Sequence, residues 1–126
     1  MRILGIDFGE KRIGLAISDE SYTLAREMGI LSPKEFWQDI NQLISRQQIS
    51  KIVLGWPLNM SGEMTEKTKE VAEFKKKLGE QINIEIDIMD ERLSSQMASH
   101  LSGGQRNIDS LAAQILLQNY LNKHKH

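Results

Sequence analysis

Apolar residues first gather in two short runs, Ile3 to Phe8 and Ile13 to Ser18, parted by the polar turn Gly9-Glu10-Lys11-Arg12. Runs of this length, bounded by turn residues, predict an antiparallel hairpin. A third strand is expected around Leu24 to Leu31. Ser32-Pro33-Lys34-Glu35 then carries a helix start, with a serine N-cap, proline in the first turn and a glutamate placed to close a capping box. Phe36, Trp37, Ile40, Leu43 and Ile44 follow at helical spacing and make one apolar stripe. Lys51 to Trp56 holds the continuous run Ile52-Val53-Leu54, suited to a central strand covered on both faces. A second helix is expected from about Thr65 to Leu78, with Met64, Val71, Phe74 and Leu78 inward and the lysines between them mostly in water. Ile82, Ile84, Ile86 and Ile88 alternate with polar residues, the period-two signature of a strand with one buried face, here expected at a sheet edge. A short helix from Ser94 to about Leu101, a break at Gly103-Gly104 and a long helix from about Asp109 to Leu121 complete the pattern.

Three antiparallel strands, then two strands reached through helical crossovers, describe an α/β fold. It is a mixed five-stranded sheet, three strands antiparallel and two parallel, flanked by helices and ribonuclease-H-like in layout. The length of 126 residues and the absence of any linker, repeat or low-complexity run predict a single domain over residues 1–126. Cysteine is absent, which rules out disulfides and thiolate zinc sites. Acidic Asp7 interrupts the opening apolar run too early for a signal peptide or a membrane span, so a soluble, cytoplasmic protein without membrane contact is expected. The net charge is −1, so binding to nucleic acid would require a local basic patch.

One fold hosts many activities, so function must be argued from a site. Asp7 lies inside an apolar strand, where a charge is costly unless it is solvated, paired or bound to metal. Glu91 follows the last strand in Asp90-Glu91-Arg92, and Asp109 opens the final helix. The topology can bring all three acids to one edge of the sheet. Oxygen-only donors suit Mg²⁺ or Mn²⁺, and a pair of such ions can drive phosphodiester hydrolysis. Each acid also has a plainer explanation: Asp7 as a partner of Lys11 or Arg12, Glu91 as a solvated loop carboxylate, and Asp109 as a helix cap.

The segment Gly5-Ile6-Asp7-Phe8-Gly9-Glu10-Lys11-Arg12-Ile13-Gly14-Leu15-Ala16-Ile17-Ser18-Asp19 resembles the opening of the YqgF (RuvX) family. Further matches lie at Gly55-Trp56-Pro57-Leu58-Asn59-Met60-Ser61-Gly62, Asp90-Glu91-Arg92-Leu93-Ser94-Ser95 and Asp109-Ser110-Leu111-Ala112-Ala113. The resemblance implies a ribonuclease-H-like, metal-dependent nuclease with its acids on Asp7, Glu91 and Asp109, and Mg²⁺ or Mn²⁺ in a two-metal site. It implies maturation of the 5′ end of pre-16S rRNA, with resolution of Holliday junctions as the alternative. The expected partners are RNA (pre-rRNA) or branched DNA, and the small ribosomal subunit, with the chain acting as a monomer or homodimer.

Lys11, Arg12, Asn59, Arg92 and Arg106 are the candidates for holding substrate. Trp56 is expected to pack rather than to stack on a base, and Glu66, Glu70 and Glu73 interleave with the lysines of the second helix as on a solvated face. Relative to the family pattern, Ser102-Gly103-Gly104-Gln105-Arg106-Asn107-Ile108 is short and poor in basic residues, which weakens the expected grip on phosphates. A binding module without chemistry therefore stands as a further alternative. A sugar-kinase-like ATPase, suggested by Asp7-Phe8-Gly9, is disfavoured because such enzymes close two domains on a nucleotide.

Overall fold

The computed structural model describes residues 1–90, the backbone of 108 and 109, and all of 110–124. The elements are β1 (Arg2–Asp7), β2 (Ile13–Ser18), β3 (Ala25–Leu31), α1 (Pro33–Arg46), β4 (Ile49–Trp56), α2 (Glu66–Gln81), β5 (Glu85–Asp90) and α3 (Ile108–Lys123). The five strands form one sheet in the order β3-β2-β1-β4-β5. β1 pairs antiparallel with β2, and β2 with β3, whereas β4 lies parallel to both β1 and β5. This is the expected mixed sheet, with β5 at an edge.

Side-chain alternation along the strands sends two apolar sets to opposite faces. Leu4, Ile6, Leu15, Ile17, Ile52 and Leu54 meet Phe36 and Ile40 of α1 and Val71, Phe74 and Leu78 of α2. Ile3, Ala16, Ala25 and Val53 meet Ala113, Leu117, Tyr120 and Leu121 of α3. The start of α1 is as the sequence predicts. Ser32 caps α1 in a complete capping box with Glu35, and Thr65 caps α2 in a box closed by Thr68. Among the described residues no helix is long and apolar enough to cross a membrane.

Two expectations need correction. Met64 does not face the core: it precedes the cap of α2, pairs through its backbone with Leu58, and is 55% exposed. The isoleucine series does not form one strand from Ile82. Ile82 is instead the buried C-cap of α2, and β5 begins at Glu85. Nor is the polar side of β5 simply a water face, because Asp87 bonds to Tyr120 of α3 and Met89 packs beside the α3 core, while Ile88 at the sheet edge is 41% exposed. The expected helix from Ser94 and the break at Gly103-Gly104 lie outside the described residues.

Candidate functional site

The carboxyl ends of the three parallel strands share one edge of the sheet. Ile6 is level with Leu54, Leu54 with Ile88, and Trp56 with Asp90. Asp7, the last residue of β1, is half-buried there. Alternation places it on the same face as Ile3 and Gly5, which is the face covered by α3.

Gly5 sets how closely that helix approaches. A Cβ at position 5 would stand 2.9 Å from Leu117 Cβ and 3.3 Å from the Ala113 carbonyl oxygen. Ile3, at the other end of β1, packs with Tyr120 and Leu121. α3 therefore runs antiparallel to β1. Two residues along β1 from Gly5 advance about 7 Å, and four residues back along α3 from Ala113 about 6 Å. These equal steps lead to Asp7 on the strand and to Asp109 in the first turn of the helix. The amino end of α3, with a partial charge of about +0.5, thus lies at the edge where Asp7 ends its strand.

The β1–β2 turn at the same edge carries Lys11 and Arg12, both exposed. Its shape depends on Gly9, where a Cβ would stand 2.4 Å from the carbonyl oxygen of Arg12. The loop after β4 is held from within. Asn59 Oδ1 accepts the backbone N–H groups of Ser61 at 3.0 Å and Glu63 at 2.9 Å. Gly62 takes the turn at φ 84°, and the buried Thr68 hydroxyl donates to the Pro57 carbonyl. Asn59 is therefore the organiser of this loop, and the loop it shapes follows the carboxyl end of a central strand. Trp56 packs against the larger core, as expected of it.

Glu91 is the residue immediately after β5, and it lies outside the described residues, as do Arg92 and Arg106. Among the described residues no three acids or histidines gather closely enough to hold a metal ion. The lysines of α2 are engaged as a solvated face would have them: Lys69 lies 3.4 Å from Glu66, and Lys77 sits 4.6 Å above the Trp37 ring.

At the opposite end of α3 lies a polar network that the sequence reading missed. Lys51 Nζ donates to Tyr120 Oη at 3.1 Å, and that hydroxyl donates to Asp87 Oδ2 at 2.9 Å. Lys51 also lies 3.9 Å from Glu85. The bond to Tyr120 raises the pKa of Lys51 above its ordinary value. Burial, foremost, raises that of Tyr120. The only sequence signal for this network is a tyrosine in an otherwise aliphatic helix face.

A half-buried strand-end carboxylate, on a mixed sheet with a helix amino terminus brought to the same edge, is the layout of a ribonuclease-H-like domain of the resolvase type. The solved structures agree on the fold. Thermus thermophilus RuvC in complex with a Holliday junction substrate superposes with a TM-score of 0.58 at 11% identity, covering 98% of this chain and 96% of that one. The Fowlpox virus resolvase in complex with Holliday junction DNA superposes at 0.54 and 15% identity, covering 98% of both chains. The chain belongs to the RuvX family, described as Holliday junction resolvase, whose model matches residues 1–123. Relatives named "Putative pre-16S rRNA nuclease" include one from Caldanaerobacter subterraneus, 38% identical over 99% of both chains. Another, from Syntrophomonas wolfei, is 44% identical over 96% of this chain and 94% of its own.

Proposed function

We propose that this chain is a metal-dependent nuclease that hydrolyses phosphodiester bonds in structured RNA, maturing the 5′ end of pre-16S rRNA. The observation that carries the reading is the position of Asp7: a half-buried carboxylate ending β1, on the face and at the edge where α3 begins with Asp109 in its first turn. The names of relatives matching nearly the full chain support pre-rRNA as substrate.

The donor chemistry fits hard divalent cations. Asp7 offers carboxylate oxygens at a partly dry strand end, and Glu91 and Asp109 are the two further acids assigned to the set. Mg²⁺ or Mn²⁺ bound by these three would supply water activation and charge neutralisation at the leaving oxygen. The remaining work is placement by the protein. Lys11 and Arg12 at the β1–β2 turn bind substrate phosphates. Arg92 and Arg106 extend that grip, and Asn59 holds the loop beside β4 in shape against the substrate. Soluble action in the cytoplasm, on RNA presented with the small ribosomal subunit, completes the reading.

The second reading, resolution of four-way DNA junctions, is favoured by the description of the family itself. One assay separates the readings. Purified protein and Asp7→Asn are compared in Mn²⁺ or Mg²⁺ on a pre-16S rRNA 5′ fragment, a generic single-stranded RNA and a four-way DNA junction, with circular dichroism to verify folding. A metal site worth several kcal/mol in the transition state predicts a loss of about 10²–10³-fold in Asp7→Asn, with the fold retained. Preference for the junction would move the substrate to branched DNA. Binding of RNA with no cleavage of any substrate by the unaltered protein would leave a binding module and refute the nuclease.

A further inference from the structure

We infer that Tyr120 is a positioning residue for the metal-binding acids, acting from the far end of α3 by locking that helix to β4 and β5 through Lys51 and Asp87. The inference rests on the nuclease reading above, and deepens it.

The argument begins with which elements the network joins. Tyr120 stands on the helix whose first turn holds Asp109, eleven residues away, or about 16 Å of helix. Asp87 stands on β5, which ends one residue before Glu91. Lys51 stands on β4, the strand between β5 and β1. The bonds of 3.1 Å and 2.9 Å thus fix α3, whose first turn holds Asp109, relative to β5, whose end precedes Glu91, and tie both to β4. Apolar packing cannot do this alone. Leu117, Leu121 and Met89 tolerate sliding, whereas a hydroxyl that accepts from one strand and donates to the next has one correct place.

Geometry also explains why the lock sits far from the acids. α3 is pinned at its middle by the close approach of Leu117 to Gly5. Gln114 and Gln118 bond the helix to Ala25 and Thr23 on the β3 side, and Tyr120 supplies the fixed point on the β4–β5 side, so that together they determine where the amino end lies. The small cavity beside the lock, lined by Tyr22, Ser50 and His124, lies toward the carboxyl end of α3, away from the first turn that holds Asp109, so the network belongs to placement and not to the chemistry. Lys51 and Tyr120 both keep their protons through the neutral range, which fixes the direction of donation along the chain of bonds.

The test is Mn²⁺ affinity, read from the loss of the free-ion electron paramagnetic resonance signal, in the unaltered chain, Tyr120→Phe, Asp87→Asn, Asp7→Asn and Ser32→Ala. Tyr120→Phe keeps the ring and removes only the bonds. Asp87→Asn keeps an acceptor for the tyrosine. Ser32→Ala weakens the cap of α1, which carries none of the acids, and controls for a general loss of stability. The expected result is a dissociation constant raised about threefold to tenfold in Tyr120→Phe, below the 10–100-fold of a partner bonded directly to a ligand. Asp87→Asn should fall between, binding should be lost in Asp7→Asn, and Ser32→Ala should bind unchanged despite a lower Tm. Unchanged Mn²⁺ binding in Tyr120→Phe, with binding lost in Asp7→Asn, overturns the positioning role and leaves the nuclease reading intact. Equal weakening in Ser32→Ala overturns it too, as an effect of stability alone. Failure of the unaltered chain to bind Mn²⁺ more tightly than Asp7→Asn overturns both.

Discussion

Replacing Gly5 with alanine tests the packing that brings α3 to the edge of the sheet. The new Cβ would lie 2.9 Å from Leu117 Cβ, an atom fixed to the helix backbone and unable to rotate aside. Ordinary carbon contacts fall at about 3.5–4.0 Å, so α3 must lift by roughly 0.8 Å or the strand must bend. Overpacking of this kind costs about 1–3 kcal/mol. Loss of unfolded-state freedom on replacing glycine offsets about 0.4–1 kcal/mol of that. The net expectation is destabilisation by about 1–2 kcal/mol. With about 2.1 cal/mol/K of unfolding entropy per residue, a chain of 126 residues should lose about 4–8 °C in Tm. A displacement near 1 Å between Asp7 and the start of α3 should also cost up to about 10²-fold in cleavage rate. Gly79 supplies the opposite sign. It lies on α2, where a Cβ would meet Ile86 Cδ1 at an ordinary 4.0 Å. Gly79→Ala should therefore stabilise by about 0.5–1 kcal/mol through helix propensity. Thermal unfolding followed by circular dichroism, alongside cleavage of the rRNA fragment, reads both variants. A Gly5→Ala protein as stable as the parent or more so, cutting within twofold of its rate, would refute the account of α3 as pressed onto β1 through a missing side chain.

Two more outcomes follow from other contacts. Thr68→Val keeps the shape of a fully buried side chain but strands the Pro57 carbonyl and the Thr65 N–H that its hydroxyl serves. Chemical denaturation should show a loss of about 1–3 kcal/mol, and limited proteolysis should cut faster near Asn59. The raised pKa values of Lys51 and Tyr120 make part of the stability depend on pH in alkali. Their contribution is whole below the ordinary values of 10.5 and 10.0 and is lost as pH rises through the higher folded values. Tm measured across the alkaline range should fall from about pH 10 upward, and more gently in Tyr120→Phe.

Much of this architecture is legible in the residues because the local signals agree with the global fold. The hairpin, the capping box at Ser32, the apolar stripe of α1 and the doubly covered β4 each follow from a pattern of a few residues. The edges are where pattern reading slips. Ile82 continues the alternation of β5 yet caps α2, because an apolar residue at a helix end and one at a strand start look alike. Met64 matches the helical period but precedes the cap, so no turn of helix turns it inward. Asp7 stood out as a charge in an apolar run. Asn59 stands in the sequence as a polar residue on a loop suited to ligand contacts, yet its Oδ1 is spent on the loop's own backbone. The Lys51–Tyr120–Asp87 network escapes pattern reading for a different reason: its members come from three elements distant in sequence, and no local spacing links them.

The order in which the layers of this sheet are made has a consequence in time. β1 is synthesised roughly 100 residues before α3, which covers one of its faces. At roughly 5–20 residues per second, the strand waits about 5–20 s for that helix. Throughout this interval Ile3, Ala16, Ala25 and Val53 have no cover, and Asp7 and Asp109 are not yet on the same molecule in folded form. A growing chain is thus unable to assemble the proposed centre until α3 docks. Under the proposed reading, a chain still being made carries no assembled metal site.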